Sequence, residues 1–180
     1  VIIDATYFIG EIYIAQLGQP EVLESVNRFI AKYEKKFMRE FFGYELSEKI
    51  YLENETPTDP NIALILNGAL ITYEGKTFEW VGLKNAAKIS PIANYVFFYY
   101  TEDLLTNQSG IGQTFNRAEN AEVVSPDSKL AFIWNEMIEM LLPLAGLTGE
   151  NGAWYQWPGP WTWYWPEPWG RFKIINSFNL

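Results

Sequence analysis

Residues 20–42, PEVLESVNRFIAKYEKKFMREFF, constrain the fold more than any other stretch of this chain. Val22, Val26, Phe29, Ile30, Tyr33, Phe37 and Phe41 recur at three-and-four spacing and lay one apolar stripe along a helix. Pro20 suits a first helical position, where a missing N–H costs nothing, and Gly43 stands where a left-handed cap is needed. Glu21 and Glu24 near the start, with Lys35, Lys36 and Arg39 near the end, oppose the helix dipole favourably. At 1.5 Å per residue such a helix spans roughly 35 Å, long enough to cross a small domain. The rest of the chain is expected to pack along it.

A chain of 180 residues fits one domain. At that size folding buries about 70% of the unfolded surface, so no staple is needed. Cysteine and histidine are both absent. That removes disulfides, thiolate metal sites and cysteine nucleophiles, together with the commonest general base and transition-metal ligand. The net charge of −9 argues against broad nucleic-acid binding. Arg28, Lys32, Lys35, Lys36 and Arg39 gather in the opening helix, but four acids share it, which favours a solvated face of mixed charge. The first residues carry acids where a secretory signal is cationic, and no run reaches the 18 or so apolar residues of a membrane span, so neither is expected.

Residues 1–19 mix short apolar runs with Asp4, Gly10 and Glu11, and periodicity leaves an extended arm and a short helix both open. After Gly43, Tyr44 to Leu52 reads as a second, bent-away helix, and ENETPTDP at 53–60 as a loop. Asp59-Pro60 forms an N-cap and first position for a buried helix over Asn61–Leu70. Ile71–Val81 reads as a hairpin turning at Glu74-Gly75. Ile92 to Tyr100 leaves almost no polar face, so its helix, begun at Pro91 or kinked there, belongs in a core or a subunit interface. Thr106 to Val124 is a long polar connection. Ser125-Pro126 opens a last helix with a stripe from Leu130 to Leu141, ended by Pro143 and Gly146.

The composition then changes. WYQWPGPWTWYWPEPW, residues 154–169, holds six of the eight Trp, and its spaced prolines forbid a regular helix. The fold class expected is therefore mainly α: a small helical bundle with a β-hairpin insertion and extended N- and C-terminal arms, divided as 1–150 and 151–180. Trp154, Trp157, Trp161, Trp163, Trp165 and Trp169 fit two roles. They can stack on sugar rings or other flat ligands, which makes a carbohydrate- or ligand-binding module the alternative function, or they can bury against a subunit or partner. Burial is favoured, because an exposed patch of six Trp invites aggregation.

Chemistry has little to work with. Glu136 with Glu139, and Glu34 with Glu40, are the nearest thing to acid pairs, and neither spacing is specific among 22 acids. No phosphate-binding, dinucleotide-binding or nucleophile-elbow pattern occurs, so no catalytic residue, cofactor or metal is assigned and no enzyme is expected.

KYEKKFMREFFGYEL, NGALITYEGKTFEWVGLKNAAKISPIANYVFFYY, VVSPDSKLAFIWNEM and the closing FKIINSFNL together resemble the head-completion, or head–tail connector (neck), proteins of tailed phages and prophages of Bacteroidetes. The resemblance covers roughly residues 20–142 and the last ten, and leaves the Trp-Pro stretch without a counterpart. It implies a structural virion protein of the phage neck, made in the bacterial host cytoplasm. Such a protein forms a ring, typically of twelve copies, between a portal protein and the tail or an adjacent neck protein. DNA passes through the channel without specific binding, an expectation that the net acidity fits. No membrane is involved. Arg28, Lys32, Lys35 and Arg39 are the candidate contacts to an acidic neighbour, and the six C-terminal Trp the candidate subunit or partner interface.

Overall fold

The computed structural model describes residues 1–73, 76–109, 112–115 and 126–145. Helix α1 runs Pro20–Leu52 and is broken at Gly43, whose φ of 75° and ψ of 173° no helical residue adopts. It is therefore two helices set at an angle, as the glycine and the renewed apolar spacing after it require. Val26, Ile30, Phe37, Met38, Phe41 and Phe42 are buried along the first part, Leu46 and Ile50 along the second.

Asp59 caps α2 (Pro60–Asn67), its Oδ1 accepting the Asn61 N–H at 2.9 Å. The expected continuation to Leu70 does not occur. Gly68 turns the chain at φ 85°, and Ala69 already belongs to strand β1. The reason is steric: a Cβ on Gly68 would lie 2.5 Å from the Trp80 carbonyl oxygen, and one on Gly82 would lie 2.6 Å from the Gly68 nitrogen. Two glycines thus let the turn after α2 press against the chain leaving β2. Strands β1 (Ala69–Tyr73) and β2 (Lys76–Trp80) pair antiparallel, Ala69 opposite Trp80 and Tyr73 opposite Lys76. Trp80 is buried and donates its indole N–H to the Ile65 carbonyl at 3.0 Å, which ties the hairpin to α2.

Helix α3 spans Pro91–Leu105 and starts at the proline. Ser90 supplies the cap, its hydroxyl oxygen accepting the Ile92 N–H at 3.3 Å while donating to the Leu83 carbonyl at 2.6 Å. Residues 91–97 are buried without exception, as a helix apolar on all sides requires. Helix α4, Pro126–Ala145, runs through Pro143 instead of ending there. So near a C-terminus the ring costs only one late hydrogen bond, to the Glu139 carbonyl, and the final turn closes around it.

The segment expected as a polar connection contains a second antiparallel hairpin, β3 (Thr106–Ser109) with β4 (Gly112–Phe115), Thr106 opposite Phe115 and Ser109 opposite Gly112. Its strands are short and polar, so no two-residue alternation announces them. Residues 116–125 and the C-terminal arm at 151–180 lie outside the described residues.

Helices α1, α3 and α4 form the bundle, with α3 in the middle. Phe29 meets the Tyr100 ring edge-on at 5.2 Å, Tyr33 stacks on Tyr99 at 4.5 Å, and Phe37 meets Tyr95 at 5.4 Å. As α1 rises α3 descends, so the two are antiparallel. Residues 1–19 hold 3-10 turns at Ala5–Tyr7 and Gly10–Ile12 and a further turn at 15–18, where Gln16 has φ 59°. Ile2, Ile3, Tyr7, Phe8, Ile12 and Ile14 are buried in the same core as α1. Six apolar side chains of this segment are therefore taken up within its own chain, while Val1, Ile9 and Tyr13 stay exposed.

Candidate partner-binding face

The charged residues of α1 divide by direction. Glu34 lies four residues after Ile30 and three before Phe37, on the buried side of the helix, and is 1% exposed. Its Oε2 accepts the backbone N–H groups of Ile2 at 2.8 Å and Ile3 at 3.0 Å, and Tyr51 hydrogen-bonds to the same carboxylate. Burial pushes the Glu34 carboxyl above the usual range, against the opposing pull of the Ile3 and Ile2 donors. Glu40 is half-buried and accepts the Tyr95 hydroxyl at 2.8 Å. Burial, followed by that bond to a carboxylate, raises the Tyr95 phenol.

With Glu34 buried and Glu40 half-buried, the acids of the mixed-charge face expected from composition are confined to the first turns of α1, where Glu21 and Glu24 are exposed. Between Glu24 and Glu45 the exposed charges of α1 are Arg28, Lys32, Lys35, Lys36 and Arg39, all cationic. Arg28, Lys32, Lys35 and Arg39 recur at four, three and four, so they share one ridge about 17 Å long. Aromatic rings hold part of it in place. The Lys32 ammonium sits 4.7 Å from the Tyr33 ring centre, and that of Lys36 sits 4.5 Å from the Tyr99 ring while donating to the Tyr99 hydroxyl at 3.4 Å. The Arg39 guanidinium lies 5.2 Å from the Tyr44 ring and 3.8 Å from the Glu48 carboxylate. Among the described residues Arg28, Lys32 and Lys35 enter no ion pair.

The other acid pairing also separates. Glu136 accepts the Asn94 amide at 2.7 Å, an amide that also reaches the Ile133 carbonyl at 3.3 Å, whereas Glu139 is exposed. The six Trp from Trp154 to Trp169 lie outside the described residues; Trp80 and Trp134, the remaining two, are buried in the core. Among the described residues no group of three or more acidic side chains is gathered closely enough to hold a metal ion, and no helix is long and apolar enough to cross a membrane.

Sequence reasoning found the four ridge cations but not the burial of Glu34. The available signal was position 34 itself, which falls on the line from Ile30 to Phe37. No protein-family model, curated protein or solved structure matches the chain.

Proposed function

We propose that this chain is a structural assembly subunit, a head–tail connector protein of a tailed-phage virion that joins portal to tail in a ring and performs no catalysis. The observation that carries the reading is the basic ridge of α1. In a chain of net charge −9, five cations occupy one exposed stretch of helix between Glu24 and Glu45, where Glu34 is buried and Glu40 half-buried. Such a face favours an acidic protein surface, for which opposite charge gives speed and register of association. Large apolar side chains left in water add adhesive area, among them Leu52 at 86%, Leu70 at 72% and Phe132 at 55% exposure. The remaining eight basic residues stand against 22 acids, so a ring channel lined by other faces repels the DNA backbone and lets it slide.

The test is assembly on the portal protein encoded in the same genome. Native mass spectrometry and negative-stain microscopy should show ring-sized species once portal is added, and R28E/K35E should reduce them. A chain that stays monomeric and ignores portal overturns the reading.

A further inference from the structure

We propose that residues 1–14 are an exchangeable arm, which in the assembled ring occupies the α1 groove of the next copy of this chain instead of its own. The inference rests on the assembly reading and names what joins neighbouring copies. Among the described residues no strand pairs with the segment, and side chains of the body fasten it. The Glu34 carboxylate accepts the Ile2 and Ile3 N–H groups, and the Asn54 amide donates to the Val1 carbonyl at 3.0 Å. The Tyr7 hydroxyl accepts the Asn85 N–H at 3.2 Å, with the Lys88 ammonium 4.5 Å from the Tyr7 ring. The segment's own turns close locally, Asp4 accepting the Thr6 N–H at 2.9 Å and Gly10 the Tyr13 N–H at 3.2 Å. The arm can therefore leave one groove and enter an identical one with its shape and contacts unchanged. The dependence runs both ways. Glu34 is buried and takes its donors from the arm, so every groove must be filled, whichever copy fills it.

The hinge favours exchange. Ala15 to Gln19 connect the arm to α1 and, Leu17 apart, are exposed. Gln16 stands at φ 59°, in the left-handed region that side-chain-bearing residues avoid, and Gly18 has open space around it. The turn closes with the Gln19 N–H donating to the Gln16 carbonyl at 2.9 Å. Extension gives that bond to water and releases the Gln16 backbone, while the contacts of the arm are the same in both forms. Fully extended, these five residues span about 17 Å, room for the arm to reach a copy packed alongside. In dilute solution the tether makes each copy's own groove the nearest. Copies held side by side on a portal present their grooves at comparable effective concentration, and the strained hinge then decides. Each copy gives its arm to one neighbour and receives one from the other, a head-to-tail contact that closes into a ring when the rotation per copy permits. Ile9 and Tyr13, exposed on the arm, are carried to the seam between copies.

Cross-linking tests the exchange. The chain has no cysteine, so introduced thiols report without background. Val1 and Glu55 are both exposed, and the Asn54 amide meets the Val1 carbonyl at 3.0 Å and the Glu55 carboxylate at 3.1 Å. V1C/E55C therefore sets two thiols within reach of a short bismaleimide without touching the core. In dilute solution a denaturing gel should show an internally linked monomer. On portal the product should shift to a ladder of covalently joined copies, and the concentrated chain without portal should give linked dimers. Adding Q16G, which suits the left-handed hinge to its backbone, should shift the product on portal back toward the linked monomer. Circular dichroism melts of both variants verify folding. Rings that form on portal yet yield only linked monomer overturn the exchange and leave assembly on portal standing. A ladder beside an undiminished linked monomer marks proximity of unexchanged neighbours and also overturns it. If portal recruits nothing, the assembly reading falls and the concentrated chain decides: linked dimers sustain the exchange, and linked monomer alone overturns it.

Discussion

Glu34 shows most clearly how one residue organises its surroundings. A carboxylate 1% exposed is costly unless hydrogen-bonded, and here the donors come from the backbone of residues 2 and 3 and from Tyr51. Glu34→Ala removes the acceptor and strands two buried N–H groups, so it should cost about 2–4 kcal/mol in urea unfolding. Hydrogen exchange should quicken at residues 2–14 beyond that seen in α3. Glu34→Gln keeps an acceptor oxygen and should cost less. The pH dependence has a definite sign. Burial raises the Glu34 carboxyl in the fold, so the native state holds its proton more tightly than the unfolded chain does. Its contribution to stability is complete below the ordinary carboxylate range and declines as pH rises through the raised value. The stability of wild type relative to Glu34→Gln should therefore fall between mildly acidic and neutral pH, measured as paired denaturation curves. A rise across that window would contradict the assignment. Acid alone should not release residues 1–19.

Elements were legible where local chemistry alone decides them. Pro20, the Asp59-Pro60 cap, Ser90-Pro91 and the break at Gly43 each rest on neighbours within a few residues, and each stands where the sequence places it. What escaped reading depends on distant partners. Nothing within the chain near Glu34 announces the backbone of residues 2 and 3, and nothing near Gly68 announces the carbonyl of Trp80. Asn94 likewise looks like an interruption of an apolar helix until α4 brings Glu136 to it. The two glycines give graded expectations. Gly43 has a backbone conformation that side-chain-bearing residues scarcely adopt, so Gly43→Ala should lose about 1–3 kcal/mol. Gly68→Ala combines positive φ with a contact of 2.5 Å against backbone that has no room to yield, and about 3 kcal/mol or more is expected. Thermal unfolding of the pair should rank Gly68→Ala below Gly43→Ala, and the reverse order would show that the turn after α2 relaxes.

At the scale of the whole molecule, stability and association should separate. The core draws on residues 2–14, both parts of α1, α2, the first hairpin, α3 and α4, while the ridge cations stand outside it. Reversing exposed charges that enter no ion pair changes folding by about 0.5 kcal/mol or less. Reversing the same charges at an interface acts on every contact made with an acidic partner and costs about tenfold in affinity for each 1.4 kcal/mol lost. R28E/K35E should therefore melt within a degree or two of wild type, while its capture by portal falls at least about tenfold and loses its salt dependence. Arg39→Glu is the useful contrast. It places a carboxylate beside Glu48, to which Arg39 now lies 3.8 Å away, and removes a cation from the Tyr44 ring. Some loss of stability is expected to accompany its loss of binding. If R28E/K35E instead lowers the melting temperature as far as Glu34→Ala does, the ridge belongs to the fold, and the surface that meets the partner lies elsewhere on the molecule.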